Sequence, residues 1–149
     1  MARRVNNEID RDCLSAQIEA EARAIREKYG PEIGWDQLLR LLDDRNCVRF
    51  PCEIRFDAKP LLPGEFAHAE ANGAKSDEGF TIYVHPSYAN RLPLVSYVVL
   101  HQLVLVNYGT SATADDAETF GSGALGLSKD QYYSMLCELS EQIGGDELL

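Results

Sequence analysis

The stretch that decides the fold is "YVVLHQLVLVNYG", residues 97–109. Apolar residues fill most of its positions, which predicts a helix that is buried nearly all round. Pro93 suits the first turn of this helix, and Gly109 suits the position just past its end. His101 and Gln102 interrupt the run near its middle. Burying a polar side chain without a hydrogen-bond partner costs free energy, so a physical reason is needed for this pair.

Two helices are predicted before this one, over 6–29 and 34–46. Gly30-Pro31 should end the first. Its core stripe has a spacing near 3.6 residues and consists of Ile9, Leu14, Ile18, Ala22, Ile25 and Tyr29.

Three strands are predicted between residues 47 and 92. The segment 48–56 alternates apolar residues with Arg49, Pro51, Glu53 and Arg55, and Pro51 should put its first half at a sheet edge or in a bulge. A short strand is expected over 66–70. A third is expected over 80–84, with residues 80, 82 and 84 on one face.

Two more helices should follow. Thr113 and Asp116 have the spacing of a capping box, and so do Ser128 and Gln131. Gly144-Gly145 is the expected end of the last helix.

The fold class predicted is therefore α+β. A small antiparallel or mixed sheet of about three strands should pack on the buried helix 93–108, with the other helices flanking it. We expect one domain over 1–149: a helical part (1–46), a sheet (47–92) and a second helical part (93–149).

Composition narrows the function classes. The net charge is −10, and the residues from Thr110 onward hold eight acidic side chains and one lysine, which is −7 of it. Such a surface disfavours nucleic acid and anionic lipid and suits cations or a basic partner. The apolar run 92–106 is too short to span a bilayer. With no signal-peptide pattern at the start, we expect a cytoplasmic protein with four reduced cysteines.

The pair on the helix has the spacing of part of a zinc-hydrolase motif. In His-Glu-x-x-His, two imidazoles four residues apart bind the metal, and the glutamate takes a proton from the bound water. Here His101 occupies the first position, Gln102 that of the base and Leu105 that of the second histidine. Gln102 is not a base and Leu105 cannot ligate a metal. Loss of a proton acceptor alone costs a factor of about 10² to 10⁴ in rate.

The order of elements around this helix resembles the minimal zincin metallopeptidases of the ImmA/IrrE and SprT-like kind. There an edge strand precedes the motif helix, and a later helix bears an acidic third ligand in a Glu-Ala-x-x-Phe-Ala-like segment. The resemblance covers about residues 65–127, over "YVHPSY", the helix and "ATADDAETFGSGALGL". It implies that Asp116 takes the third-ligand position, with Asp115 and Glu118 as neighbours that could substitute.

The first functional interpretation is a non-catalytic, zincin-like domain, a pseudo-metallopeptidase that serves as a structural or protein-interaction module. It needs no cofactor, and it leaves the partner and the oligomeric state open. A homodimer through the edge of strand 48–56 is one option. On this interpretation Leu105 fills the space of a lost imidazole, and His101 hydrogen-bonds to Gln102, Tyr97 or an acidic residue on the next helix.

The alternative is a metal-dependent hydrolase with a rearranged zinc ligand set: His101, then Asp116 or Asp115, then His85 or His68. It would need a new base, for which Glu118 and Glu70 are candidates. A third interpretation makes Cys137 or Cys52 a nucleophile with His101 as its base, although neither thiol has a basic neighbourhood in the sequence.

Overall fold

In the computed structural model, residues 2–30 and 32–148 are described, and among them the side chains of 12–30, 32–75, 77–109 and 111–143. This part of the chain folds into helices and one sheet, joined by short 3₁₀ turns. The helices are α1 (Ala2–Tyr29), α2 (Trp35–Leu42), α3 (Leu92–Tyr108), α4 (Ala114–Leu125) and α5 (Lys129–Leu148). The strands are β1 (Cys52–Phe56), β2 (Ala67–Ala71) and β3 (Phe80–Val84).

The sheet is mixed, with the strand order β1-β3-β2. The central strand β3 pairs in parallel with β1 and antiparallel with β2. The α+β class and the three-stranded mixed sheet are therefore confirmed. The edge strand that the resemblance implies immediately before α3 is wrong, since that strand, β3, is the central one and β1 and β2 form the two edges.

Helix α3 lies between the sheet and the helical layer, in contact with β2 and β3 and with α2 and α4. Its buried residues cover most of its circumference, and the remaining face, with positions 94, 97, 101, 105 and 108, is half-buried or exposed. Helix α1 packs mainly on α4. Its expected stripe is buried at Ile18, Ala22 and Ile25, whereas the side chain of Ile9 lies outside the described residues, as does Pro31.

Two glycines of α4 allow close helix packing. A Cβ on Gly121 would lie 2.3 Å from the ring of Tyr132, and one on Gly123 would lie 2.9 Å from the methyl group of Ala22. Gly126 then ends α4 in the left-handed conformation, at φ 71°.

Local capping signals read from the sequence are confirmed. The Thr113 side chain accepts a hydrogen bond from the Asp116 amide, and the Asp116 carboxylate accepts one from the Thr113 amide. Ser128 and Gln131 exchange the same pair of bonds at the start of α5. The expected stop at Gly144-Gly145 is wrong, since α5 continues to Leu148; glycine lowers helix propensity by about 1 kcal/mol without forbidding a helix.

The predicted strand 48–56 is wrong in its first half. Only Cys52–Phe56 forms β1, although the alternation of half-buried and exposed residues holds there. Upstream, the Val48 amide donates to the Asp44 carbonyl and the Arg49 amide donates to the Asn107 side chain. These amides are satisfied by a turn and by α3, so they have no need of a strand partner.

The Asn107 carboxamide holds the segment before β1 onto α3. Its oxygen accepts the Arg49 amide at 2.9 Å, and its nitrogen donates to the Cys47 carbonyl at 2.8 Å. The side chain is almost fully buried, so these bonds form where water cannot replace them.

The Asp44 carboxylate joins the ends of α1 and α2. It accepts hydrogen bonds from Lys28, from the Tyr29 hydroxyl at 2.6 Å and from the Cys47 thiol at 3.6 Å. The bond from Lys28, followed by that from Tyr29, holds the pKa of Asp44 well below its ordinary value. Burial, helped by Asp44, raises the pKa of Cys47 to about 11, which keeps this thiol protonated.

Among the described residues, no helix combines the length and the apolar character needed to cross a membrane.

Replacing Asn107 should destabilise the fold. We expect Asn107→Ala to lower the free energy of unfolding by about 1 to 3 kcal/mol, because the Arg49 amide and Cys47 carbonyl lose their buried partners. Urea unfolding followed by circular dichroism measures the change. Asn46→Ala is the matched control, since Asn46 is exposed in the same loop, and it should change stability by less than about 0.5 kcal/mol. Equal effects of the two variants would refute the role given to Asn107.

The Asp44 contribution should depend on pH. Because its folded-state pKa is depressed, its stabilisation is present above the unfolded-state value, about 4, and is lost as the pH falls below it. Asp44→Asn should therefore cost about 1 to 2 kcal/mol at neutral pH, and the difference from the wild type should shrink below pH about 4. The exposed neighbour Asp43 supplies the control, Asp43→Asn. A difference that does not change with pH would contradict this assignment.

Candidate functional site

The motif positions on α3 lie in three different environments. Gln102 is buried, His101 is half-buried and Leu105 is 42% exposed. Leu105 therefore does not fill the space of a missing imidazole, and that expectation is wrong. It projects from the same face of α3 as His101, one turn further along.

The Gln102 side chain is hydrogen-bonded to the sheet. In the antiparallel pair of β2 and β3, hydrogen bonds join Phe66 to His85 and Asn72 to Gly79. Bonded positions alternate along a strand, so the Ala69 amide points away from β3, toward the open edge. The Gln102 Oε1 accepts this amide at 3.2 Å. Gln102 thus caps an edge-strand amide.

His101 has no comparable partner. Its Nδ1 is buried and, within the described part of the chain, has no hydrogen bond. The ring meets Phe66 edge to face, with ring centroids 6.0 Å apart. The expected hydrogen bond to Gln102, Tyr97 or an acidic residue of α4 is therefore wrong.

Burial lowers the pKa of His101, which keeps the imidazole neutral at neutral pH. A carboxylate beside the ring would raise this pKa instead. The neutral ring can be a metal ligand, or it can be an apolar packing element.

The acidic candidates on α4 are engaged locally. Asp116 is buried and caps the helix through the Thr113 amide. Asp115 is exposed and forms an ion pair with Lys129. Glu118 is half-buried. The burial of the Tyr132 phenol raises the pKa of Tyr132 strongly, and the negative charge of Glu118 raises it further.

The two other histidines lie on the sheet. His68 is half-buried on β2, opposite Tyr83. His85 follows β3, where its Nδ1 accepts the Ser87 amide at 3.2 Å and caps the next 3₁₀ turn. Among the side chains that the structure describes, no three His, Cys, Asp or Glu residues form a group that could hold a metal ion. The rearranged zinc ligand set is thus not assembled in this conformation.

The cysteine interpretation gains no support. All four cysteines are free. Burial raises the pKa of Cys52 to about 11, and its thiol donates to the Phe50 carbonyl at 3.4 Å. A thiol held protonated in this way is a poor nucleophile.

The role of Asn107 was missed at the sequence level. The signal was present, since Asn107 is a third polar residue of the apolar run, five positions after Gln102. Five residues of helix turn through about 140°, so the two amide side chains face different neighbours. Gln102 meets the sheet and Asn107 meets the segment before β1.

Comparisons of this chain with protein-family models, with curated proteins and with solved structures found no match.

The bond from Ala69 to Gln102 can be tested by a substitution that preserves side-chain shape. We expect Gln102→Met to lower the free energy of unfolding by about 1 to 3 kcal/mol, because the Ala69 amide loses its acceptor. The Ala69 amide should also exchange with solvent faster, which hydrogen exchange followed by NMR measures. Gln37→Met, at an exposed glutamine of α2, should change neither quantity. Unchanged exchange at Ala69 would show that Gln102 does not protect this strand edge.

Proposed function

We propose that this protein is a non-catalytic domain of zincin-like type that acts as a structural or protein-interaction module. The observation that carries the proposal is the commitment of Gln102 to the Ala69 amide. The position that would hold a catalytic base is occupied by a side chain that cannot take a proton and that stabilises the sheet edge. In this proposal the protein works in the reducing cytoplasm, where its four free thiols remain reduced.

Three further features support this function. The sheet packs on α3, as the zincin-like arrangement requires. Leu105 lies at the surface, where the second histidine of the motif would stand. Asp116, the residue in the third-ligand position, serves as the cap of α4. Gln102 and Asp116 are thus used for stability, and Leu105 is left at the surface.

One observation favours a metal-dependent hydrolase as the second candidate. The buried, unpartnered Nδ1 of His101 is what a metal ligand would show without its metal. Zinc would then be the cofactor, with Asp116 and either His85 or His68 as further ligands. Asp116 and His85 would have to leave their present capping roles, which makes this candidate the weaker one.

The metal content of the purified, untagged protein separates the two candidates. For the non-catalytic domain, we expect elemental analysis to find no near-stoichiometric metal in either the wild type or His101→Ala. Circular dichroism must show that His101→Ala is folded. A near-stoichiometric metal that is lost in His101→Ala would overturn the proposal in favour of the hydrolase.

Restoring the motif tests the zincin-like relation itself. The variant Gln102→Glu/Leu105→His would place two imidazoles one turn apart on α3, and we expect it to bind zinc stoichiometrically. A histidine pair on any helix has some affinity for zinc, so the control is Ala16→His/Ala20→His on the exposed face of α1. Tighter binding by the α3 variant, measured by calorimetry, is expected because α4 would supply a third ligand. Equal affinities would count against the relation.

A further inference from the structure

Two adjoining cavities form a groove on the helical side of the molecule. The first, of about 430 Å³, lies between the segment before α2, the first turns of α3 and the end of α4. The second, of about 500 Å³, runs along α5. They share Leu127, and together we call them the acidic groove. Its defining residues are Glu32, Ser96, Leu127, Asp130, Met135 and Glu138.

The charge of the acidic groove has one sign. Its charged lining residues are Glu32, Asp130 and Glu138, and each of them is exposed. Among the lining residues that the structure describes, none is a lysine or an arginine. The described lining residues therefore carry three acidic side chains and no basic one, and Asp130 and Glu138 belong to the segment from Thr110 onward that holds −7 of the net charge of −10.

The floor of the acidic groove is apolar. Leu127 and Met135 are half-buried and pack against the core, and they lie between the acidic residues. Along α5 the lining positions 131, 134, 135 and 138 recur at helical spacing and form one stripe. An apolar stripe with an acidic border is complementary to a segment that has large apolar side chains flanked by lysine or arginine.

Ser96 supplies an independent sign of a ligand. It lines the first cavity and is 1% exposed, yet its hydroxyl has no hydrogen-bond partner in the described part of the chain. Buried hydroxyls are nearly always hydrogen-bonded. A bound peptide backbone would offer both a donor and an acceptor at this point.

We propose that the acidic groove binds a basic amphipathic peptide segment of another protein. This inference deepens the proposed function, because it names the chemistry of the partner of the interaction module. Apolar side chains of the segment lie on Leu127 and Met135, and its cations face Glu32, Asp130 and Glu138.

The test uses the full-length protein and a labelled synthetic peptide. A peptide of leucine and lysine, of about 18 residues or five helical turns, is titrated by fluorescence anisotropy. We expect saturable binding that weakens as salt is added, and no binding of the peptide that has glutamate in place of lysine. Chemical shifts measured by NMR should change at Leu127, Ser134 and Met135.

Matched variants locate the binding. Asp130→Lys/Glu138→Lys should weaken binding by about tenfold or more, which corresponds to about 1.4 kcal/mol. Glu19→Lys/Glu70→Lys changes the net charge equally at exposed positions outside the groove, and it should change the affinity by less than about threefold. Ser134→Trp fills the groove at an exposed helix position without changing the charge, and it should also weaken binding.

Three results would overturn the proposal. The first is the absence of saturable binding. The second is an equal loss in the two charge-reversal variants, which would mean attraction to the acidic surface in general. The third is a dimer in light scattering that Ser134→Trp dissociates, which would make a second copy of this chain the occupant.

The metal analysis separates this proposal from the proposed function. Metal together with peptide binding would remove the non-catalytic assignment and keep the groove. If neither metal nor peptide binding is found, the groove proposal fails and the non-catalytic assignment is kept.

Discussion

The burial of α3 over most of its circumference is the constraint on which the rest of the structure depends. A helix surrounded by a sheet and other helices excludes water from the backbone groups of its neighbours, and each of those groups then needs a partner. Gln102 and Asn107 supply these partners. One caps the Ala69 amide at an edge of the sheet, and the other binds Arg49 and Cys47 before β1. Gln102 thus holds the edge strand β2 against α3, and Asn107 holds the segment that leads into β1.

Under the proposed zincin-like relation, this arrangement explains why a polar residue without base chemistry stands at position 102. Glutamine and glutamate have nearly the same shape, but an uncharged amide avoids the cost of burying a charged carboxylate. At the position of Gln102 the stability of the sheet edge and the chemistry of a base make opposite demands. The neutral ring of His101 packs edge to face against Phe66, so His101 serves here as an apolar packing residue.

Features that depend on local sequence were predictable, and those that depend on distant neighbours were not. The capping boxes at Thr113 and Ser128, the alternation in β1 and the helix after Pro93 follow from residues close in the chain. The segment 48–51 has the alternation of a strand but is held by Asp44 and Asn107, the latter almost sixty residues away. The sequence also could not predict the hydrogen-bond partner of Gln102, because residue spacing gives no information on which edge-strand amide lies next to the helix.

The requirement that buried polar groups have hydrogen-bond partners also applies where α3 lines the acidic groove. Helix α3 buries four polar side chains or parts of them, namely those of Ser96, His101, Gln102 and Asn107. The two amides are satisfied within the chain, and they are the ones that face other elements of the fold. Within the part of the chain that the structure describes, the Ser96 hydroxyl has no hydrogen-bond partner, and Ser96 lines the acidic groove. Because an unsatisfied buried hydroxyl costs about 1 to 3 kcal/mol, a segment that satisfies it gains free energy that a purely electrostatic ligand would not. This difference favours a peptide over a simple cation as the occupant of the groove.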